Sequence, residues 1–265
     1  VAFGSAAGDT KRIAIVFGSI FGSRSIMDLQ LTGKTAIVTG GTAGIGLAIV
    51  KALAAEGARV TVPGRTQAKL DAALASLKNV TGIVADPATA EGAASLIRQI
   101  PDTDILVNNL GIYQPKEFAD ITDDDWRNIF ETNVLSGVRL SRHYFPRMLK
   151  RNSGRIIFIS SESAYHIPAE MIHYGMTKAA QIAVARGLAE TTAGSGITVN
   201  SVLAGPTRSR GVGDFVAAMA AKNGQSAQTV EREFFKTARP TSLLQRFATS
   251  EKVSALVSYL ASPLS

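Results

Sequence analysis

Short apolar runs alternate with longer amphipathic segments from Leu29 to the end of the chain. The runs are rich in β-branched and aliphatic residues, as expected for strands that are buried on both faces. This alternation predicts an α/β fold in a single domain, with a doubly wound parallel sheet flanked by helices on both faces. Six such runs are KTAIVTG, ARVTVPG, VTGIVAD, TDILVNN, GRIIFIS and GITVNSVLAG.

The segments between the runs carry the start and stop signals of helices. GIGLAIVKALAAEG ends at Gly57, and TQAKLDAALASL has Thr66 as its predicted N-cap. A long helix is predicted from about Asp123 to Leu149, because its acidic start suits the positive end of a helix dipole. EMIHYGMTKAA, from Glu170 to Ala180, predicts one amphipathic helix. In such sheets, ligands bind outside the carboxyl ends of the strands.

Two parts of the chain depart from the alternation. Residues 1–27 contain basic residues followed by the apolar run IAIVFGSIF, and we expect a disordered or weakly docked extension, with a targeting segment as the alternative. Residues 28–265 are expected to form the domain. Within it, residues 207–248 predict one or two helices over the mouth of the site, a candidate substrate lid. No seventh strand is predicted after VSYLASPLS.

Composition narrows the classes of function. The 265 residues include no cysteine, which excludes disulfides and thiol nucleophiles and is compatible with a cytoplasmic protein. His143, His166 and His173 lack the spacing of metal ligands, so we predict no metal site. The net charge of +7 is scattered, which argues against a nucleic-acid partner. No apolar run approaches the roughly 20 residues of a membrane span, so no membrane association is predicted.

The stretch TGGTAGIG joins the first strand to the first helix. Its glycines allow a tight turn and a close approach of the backbone to a pyrophosphate at the helix N-terminus. The spacing is G-x-x-x-G-x-G rather than the common G-x-G-x-x-G, so a purely structural turn stays open as the alternative. The candidate dinucleotide contacts are Gly40, Thr42, Gly44, Ile45 and Gly46.

Arg65 and Thr66 follow the second strand, where NAD sites place an acid for the ribose 2′-hydroxyl. No acid is present there to repel a 2′-phosphate, and the Arg65 guanidinium could bind one, with the Thr66 hydroxyl adding a contact. The alternative is that Arg65 is a solvated turn residue. We favour NADP over NAD as the cofactor.

Tyr174 and Lys178 are four residues apart and therefore share one helix face. A free tyrosine titrates near pH ~10, and a nearby ammonium can lower that pKa. A protonated Tyr174 can also donate to a carbonyl oxygen. The alternative is a core tyrosine beside a surface lysine, which a lone Y-x-x-x-K would favour.

With TGGTAGIG, NNLG, Ser161 and YGMTK in this order, the sequence resembles the short-chain dehydrogenase/reductase family, and especially its 3-oxoacyl-carrier-protein-reductase-like members. The resemblance runs from about Leu29 to Leu260 and implies a Rossmann-type fold and, for a complete chain, a homo-oligomer. It implies catalytic roles for Asn133, Ser161, Tyr174 and Lys178, with Ser161 preferred to Ser160 and Ser163 because it lies thirteen residues before Tyr174. The implied cofactor contacts also include Asp86, Asn109, Gly111, Gly205, Thr207, Tyr174 and Lys178.

The chain also departs from the family pattern. Pro87 follows Asp86 where relatives use a backbone N–H, Ala204 replaces a proline, and Ala43 is not basic although many NADP-preferring relatives carry Arg or Lys there. Nothing in the sequence predicts the last strand of the family. The leading hypothesis is an oxidoreductase that transfers hydride between NADP(H) and a small carbonyl or secondary alcohol, with a 3-oxoacyl thioester as one candidate. The alternatives are a non-catalytic dinucleotide-binding protein and a truncated, inactive homologue.

Overall fold

The computed structural model describes residues 27–208 and 210–265, so all of the predicted extension except Met27 lies outside the described residues. Six strands form one parallel sheet in the order β3-β2-β1-β4-β5-β6. This is the predicted doubly wound topology, with the order reversing between β1 and β4. The strands are β1 Thr35–Val38, β2 Arg59–Gly64, β3 Val80–Val84, β4 Ile105–Asn108, β5 Gly154–Ser161 and β6 Ile197–Ala204.

Helices cover both faces of the sheet. They are α1 Gly44–Ala55, α2 Gln67–Leu74, α3 Ala90–Gln99, α4 Asp123–Phe130, α5 Ser136–Arg151, α6 Ile172–Glu190, α7 Arg210–Asn223, α8 Ala227–Thr237 and α9 Ser250–Ala261. Neighbouring residues of β1 point to opposite faces: Val38 packs in the core with α1, α2 and α9, whereas Ile37 packs in the core with α3, α5 and α6. Helices cover both faces of the sheet, and this explains why the strands carry apolar residues on both faces.

The predicted long helix is interrupted by one π-helical turn. α4 begins with a capping box between Thr122 and Asp125, as the acidic start suggested. Glu131–Leu135 is then π-helical, and α5 continues to Arg151. Asn133 therefore lies in a turn whose backbone hydrogen bonds join residues five apart rather than four. Such turns are often found at functional sites. The helix predicted from Glu170 begins at Ile172, after the 3-10 turn Ala169–Met171.

The segment after β6 forms a small unit beside the sheet. Strands β7 Thr207–Arg208 and β8 Ala248–Thr249 pair in parallel, and α7 and α8 lie between them in the chain. These two helices agree with the one or two predicted there. They enclose a separate apolar cluster, which consists of Val216, Val230, Phe235 and Phe247. Over the described residues, the main sheet has no seventh strand, and no helix has the length and apolar character needed to cross a membrane.

Candidate active site

The glycine turn lies at the carboxyl end of β1 and leads into α1. Gly40 and Gly44 have φ of 64° and 53°, a region that glycine adopts without strain. A Cβ on Gly46 would lie 2.2 Å from the carbonyl oxygen of Gly40, so only glycine fits. Ala43 provides no side-chain cap for α1, so side chains do not occupy the first N–H groups of the helix. This backbone cradle fits a dinucleotide pyrophosphate, and it includes Thr42 and Ile45.

Asn109 fixes the shape of this turn. Its Nδ2 donates to the carbonyl oxygens of Thr39 at 2.9 Å and Gly40 at 3.2 Å, while its backbone N–H donates to the Thr39 hydroxyl at 3.0 Å. The Asn109 side chain therefore holds the end of β4 against the turn after β1. Asn109 thus stabilises the backbone of the cradle. The predicted contact between Asn109 and the cofactor is a separate role.

The residues predicted near the adenosine end of a cofactor lie after β2 and β3. Arg65 is exposed directly after β2, and no described acidic side chain forms an ion pair with it. Thr66 caps α2 by accepting from the Lys69 N–H at 3.4 Å, as predicted. Asp86 lies two residues beyond β3 rather than ending it, and its Oδ1 accepts from the Ala88 N–H at 3.1 Å. The Asp86 carboxylate thus shapes its own loop.

The Ser161 hydroxyl lies near the Tyr174 phenol at the carboxyl end of β5. Ser161 ends the strand, and its Oγ also accepts from the Ser163 N–H at 3.1 Å. The neighbouring Ser160 hydroxyl instead donates to the main-chain oxygen of Lys178 at 2.8 Å. Ser160 therefore anchors α6 to the sheet, whereas Ser161 lies near Tyr174. The choice of Ser161 as the catalytic serine stays a prediction.

Burial raises the pKa of the Tyr174 phenol, and the neighbouring Ser161 hydroxyl offsets part of the rise. The expectation that Lys178 lowers this pKa is not met in the structure. The Lys178 Nζ lies 5.5 Å from the centre of the Tyr174 ring, yet removal from water outweighs the effect of any neighbouring charge. Tyr174 therefore holds its proton at neutral pH, which suits a proton donor.

Lys178 is buried, with 5% of its surface exposed. Burial lowers its pKa to about 8. Its Nζ donates to the Ile159 carbonyl oxygen at 2.9 Å and to Gln181 Oε1 at 3.1 Å. A Cβ on Gly111 would lie 3.5 Å from this Nζ, so Gly111 leaves space beside the ammonium.

Asn133 is held by the loop after β4. Its Oδ1 accepts from the Ile112 N–H at 2.7 Å, and its Nδ2 donates to the Ile112 carbonyl oxygen at 2.9 Å and to Thr177 Oγ1 at 3.0 Å. The main-chain oxygen of Asn133 accepts from Gln181 Nε2 at 2.6 Å. Gln181 thus connects the main chain of Asn133 to the Lys178 ammonium.

Gln181, Glu162 and Arg239 are residues that the sequence reasoning missed. Gln181 is three residues beyond Lys178, so its helical spacing was an available signal. Glu162 follows Ser161, and its Oε2 would lie 3.4 Å from a Cβ on Gly205. Thr207 closes the same turn by donating its hydroxyl to the Gly205 oxygen at 2.9 Å. Arg239 Nε lies 3.3 Å from Glu162 Oε1, and no pattern in the sequence predicts this pair.

Known proteins resemble this chain over most of its length. Residues 34–220 match the short chain dehydrogenase family. The chain is 47% identical over 242 residues to the uncharacterized oxidoreductase YvrD of Bacillus subtilis (strain 168), covering 89% of this chain and 92% of YvrD. It is 38% identical over 182 residues to 3-oxoacyl-[acyl-carrier-protein] reductase FabG of Escherichia coli (strain K12), covering 67% of this chain and 75% of FabG.

A solved structure resembles the fold closely. L-sorbose reductase from Gluconobacter frateurii, in complex with NADPH and L-sorbose, matches with a TM-score of 0.83 and 29% identity, covering 90% of this chain and 93% of that one. These similarities confirm the predicted fold class and the predicted family resemblance. The chain belongs to the short chain dehydrogenase family, as an oxidoreductase that uses a nicotinamide dinucleotide to interconvert a CH–OH group and a carbonyl in a small molecule.

Proposed function

We propose that the chain is an NADP(H)-dependent carbonyl reductase in which Asn133, Ser161, Tyr174 and Lys178 are the catalytic residues. The observation that carries this proposal is the half-buried Tyr174 phenol, which keeps its proton because burial raises its pKa, and whose ring centre lies 5.5 Å from the Lys178 Nζ. A phenol in this state can donate a proton to a carbonyl oxygen that becomes an alkoxide.

The dinucleotide supplies the hydride when bound. Ser161 Oγ then holds the substrate oxygen and stabilises its developing charge, while Tyr174 transfers its proton to that oxygen. In the family, the lysine also binds the nicotinamide ribose, and Gly111 leaves space on that side of Lys178. Asn133 and Gln181 hold Lys178 in place through the contacts described above.

The proposed cofactor contacts lie at the carboxyl ends of the strands and on α6. We assign cofactor contacts to the sequence-predicted set: Gly40, Thr42, Gly44, Ile45, Gly46, Arg65, Thr66, Asp86, Asn109, Gly111, Tyr174, Lys178, Gly205 and Thr207. The preference for NADP rests on Arg65, which is exposed and forms no ion pair with a described acid. The NADPH bound to L-sorbose reductase supports it. Because Thr66 Oγ1 already caps α2, we expect Arg65 to provide most of the discrimination.

We further propose that residues 207–248 act as a substrate lid and that the protein is a cytoplasmic homo-oligomer. The lid proposal is supported by the position of α7 and α8, which lie in the chain between the turn at Gly205 and β8. A 3-oxoacyl thioester is a candidate substrate because of the similarity to FabG.

A substrate panel assayed with NADPH and NADH in parallel tests this function. The purified protein should oxidise NADPH with at least one ketone, aldehyde or 3-oxoacyl thioester, and more slowly with NADH. Cofactor binding without turnover across the whole panel would contradict the proposed activity. A clear preference for NADH would contradict the role of Arg65.

A further inference from the structure

Three charged side chains meet beside Tyr174. Arg239 Nε lies 3.3 Å from Glu162 Oε1, and Arg239 Nη1 lies 3.9 Å from Glu170 Oε1. Only 14% of the Arg239 side chain and 26% of the Glu162 side chain are exposed. The Arg239 guanidinium also lies over the Phe234 ring, 5.7 Å from its centre. The Glu162–Arg239 pair is therefore fixed in position and largely removed from water.

Two members of this charged cluster, Glu170 and Arg239, line a cavity. The cavity has a volume of about 600 Å³ and is lined by residues 166–170 and 237–241, which include Glu170 and Arg239. This volume is in the range of small-molecule sites. Glu162 raises and Arg239 lowers the pKa of Tyr174, so both charges act on the phenol. Glu162 also faces Gly205. Arg239 thus lines the cavity and pairs with Glu162, the residue that follows Ser161.

The charges of the cluster restrict which substrates it can accept. Two carboxylates and one guanidinium leave an excess of one negative charge, which repels a carboxylate or phosphate on the substrate. An alkyl or acyl chain lying against the cluster would remove these charges from water without replacing their hydrogen bonds, which costs free energy. Hydroxyl groups can donate to Glu162 and accept from Arg239.

We propose that Glu162 and Arg239 form a subsite for substrate hydroxyl groups, which selects neutral polyhydroxylated ketones or aldehydes over sugar acids and acyl thioesters. This inference rests on the proposed function, because it names the substrate class of the same site. It also predicts that the 3-oxoacyl thioester is the poorer candidate.

The test compares four substrates with NADPH: a neutral ketohexose, a keto-sugar acid with the same number of carbons, an unsubstituted alkyl ketone and a 3-oxoacyl thioester. The variants are Glu162→Gln and Arg239→Gln. Glu233→Gln is the matched control. Glu233 is a glutamate on α8 that pairs with Lys236 and Arg232 rather than with Arg239. Wild type and the control should give kcat/KM at least about tenfold higher with the ketohexose than with the other substrates.

The two variants should change kcat/KM for the sugar acid in opposite directions. Both should lower kcat/KM for the ketohexose by about tenfold, mainly through KM, because each removes a hydrogen-bonding charge. Glu162→Gln removes the excess negative charge and should raise kcat/KM for the sugar acid, whereas Arg239→Gln should lower it. Only Glu162→Gln should change the two substrates in opposite directions, which a variant that merely disturbed the fold would not do. A Glu162→Gln protein with lower kcat/KM for both substrates would overturn the proposal, as would a preference of wild type for the alkyl ketone or the thioester.

A binding measurement separates this inference from the proposed function. The thermal unfolding midpoint of the protein with NADP⁺ should rise on adding the ketohexose, and it should rise less in both variants. If the midpoint rises but no substrate is turned over, the proposed function fails and the subsite stands. If the alkyl ketone or thioester is reduced but the ketohexose neither reacts nor stabilises the protein, the function stands and the subsite fails.

Discussion

The side chain of Gln181 joins Lys178 to the main chain of Asn133. Its Oε1 accepts from Lys178 Nζ at 3.1 Å, and its Nε2 donates to the Asn133 oxygen at 2.6 Å. The Asn133 oxygen belongs to the π-helical turn between α4 and α5. All three side chains are buried, so each of these bonds replaces water. Gln181 is therefore a positioning residue for the Lys178 ammonium.

Replacing Gln181 by Met should leave the Asn133 oxygen and one Lys178 donor without partners. We expect the free energy of unfolding to fall by about 1–3 kcal/mol and kcat to fall by about tenfold, because the ammonium is no longer held. Denaturant unfolding and the pH profile of kcat measure the two effects. Gln99→Met is the control, since Gln99 is exposed and should change stability by less than about 0.5 kcal/mol. An unchanged pH profile in Gln181→Met would contradict a role acting through Lys178.

Replacing Tyr174 by Phe removes the proposed proton donor. We expect kcat for carbonyl reduction to fall by roughly 10²–10⁴-fold, the range for loss of a general acid. NADPH binding, measured by fluorescence titration, should change little because the backbone cradle is intact. Tyr165→Phe is the control, because Tyr165 is 71% exposed on the loop after β5. Substantial turnover in Tyr174→Phe would exclude the phenol as the donor.

The buried Lys178 makes stability depend on pH. Burial lowers its folded-state pKa to about 8, below the ordinary value of about 10.4. Between these two values, the unfolded chain binds more protons than the folded protein, so the Lys178 contribution to stability rises with pH. The slope is at most about 1.4 kcal/mol per pH unit.

Unfolding titrations of wild type and Lys178→Met between pH 7 and 11, the window given by these two pKa values, measure this contribution. The difference in the free energy of unfolding between the two proteins should shift in favour of wild type as the pH rises from about 8 to about 10.4. A constant difference across this range would show that the ammonium is not destabilised by burial.

Arg65 should decide between the two dinucleotides. Arg65→Ala should raise the KM for NADPH by at least about tenfold and change the KM for NADH much less, because only NADPH carries the 2′-phosphate. Arg59→Ala is a suitable control, since Arg59 is an exposed arginine at the opposite end of the same strand. Equal changes for both cofactors in Arg65→Ala would mean that Arg65 does not contact the 2′-phosphate.

Two glycine-to-alanine variants should behave in opposite ways. Gly46→Ala places a Cβ 2.2 Å from the Gly40 oxygen, and moving that backbone should cost about 1–3 kcal/mol of stability and abolish cofactor stabilisation. Gly187→Ala, in the last turn of α6, meets no atom within 4 Å and should stabilise the protein by about 0.5 kcal/mol. Thermal unfolding with and without NADPH tests both. A Gly46→Ala protein that is still stabilised by NADPH would show that the cradle tolerates a side chain.

The sequence was sufficient to predict the sheet because its strands are buried on both faces and therefore continuous in apolar character. It was also sufficient for Tyr174 and Lys178, which are neighbours through helical spacing. The π-helical turn at Asn133 could not be predicted, because a single π-helical turn does not visibly change the pattern of apolar and polar residues in so short a segment. The pKa of Tyr174 depends on burial, which residue spacing does not reveal. Glu162 and Arg239 meet only after the unit formed by α7 and α8 folds against the sheet.

That unit has its own apolar cluster of Val216, Val230, Phe235 and Phe247. Arg239 follows α8, whereas Ser161, Tyr174 and Lys178 are held by β5 and α6 and the main core. Arg239 and the proposed catalytic residues therefore belong to parts of the protein with separate stabilising contacts, whereas Glu162, which directly follows β5, belongs to the same part as the proposed catalytic residues. Mutations near Arg239 can alter what the enzyme accepts while the geometry of proton transfer is conserved, which makes this segment the natural starting point for redirecting the enzyme to new substrates.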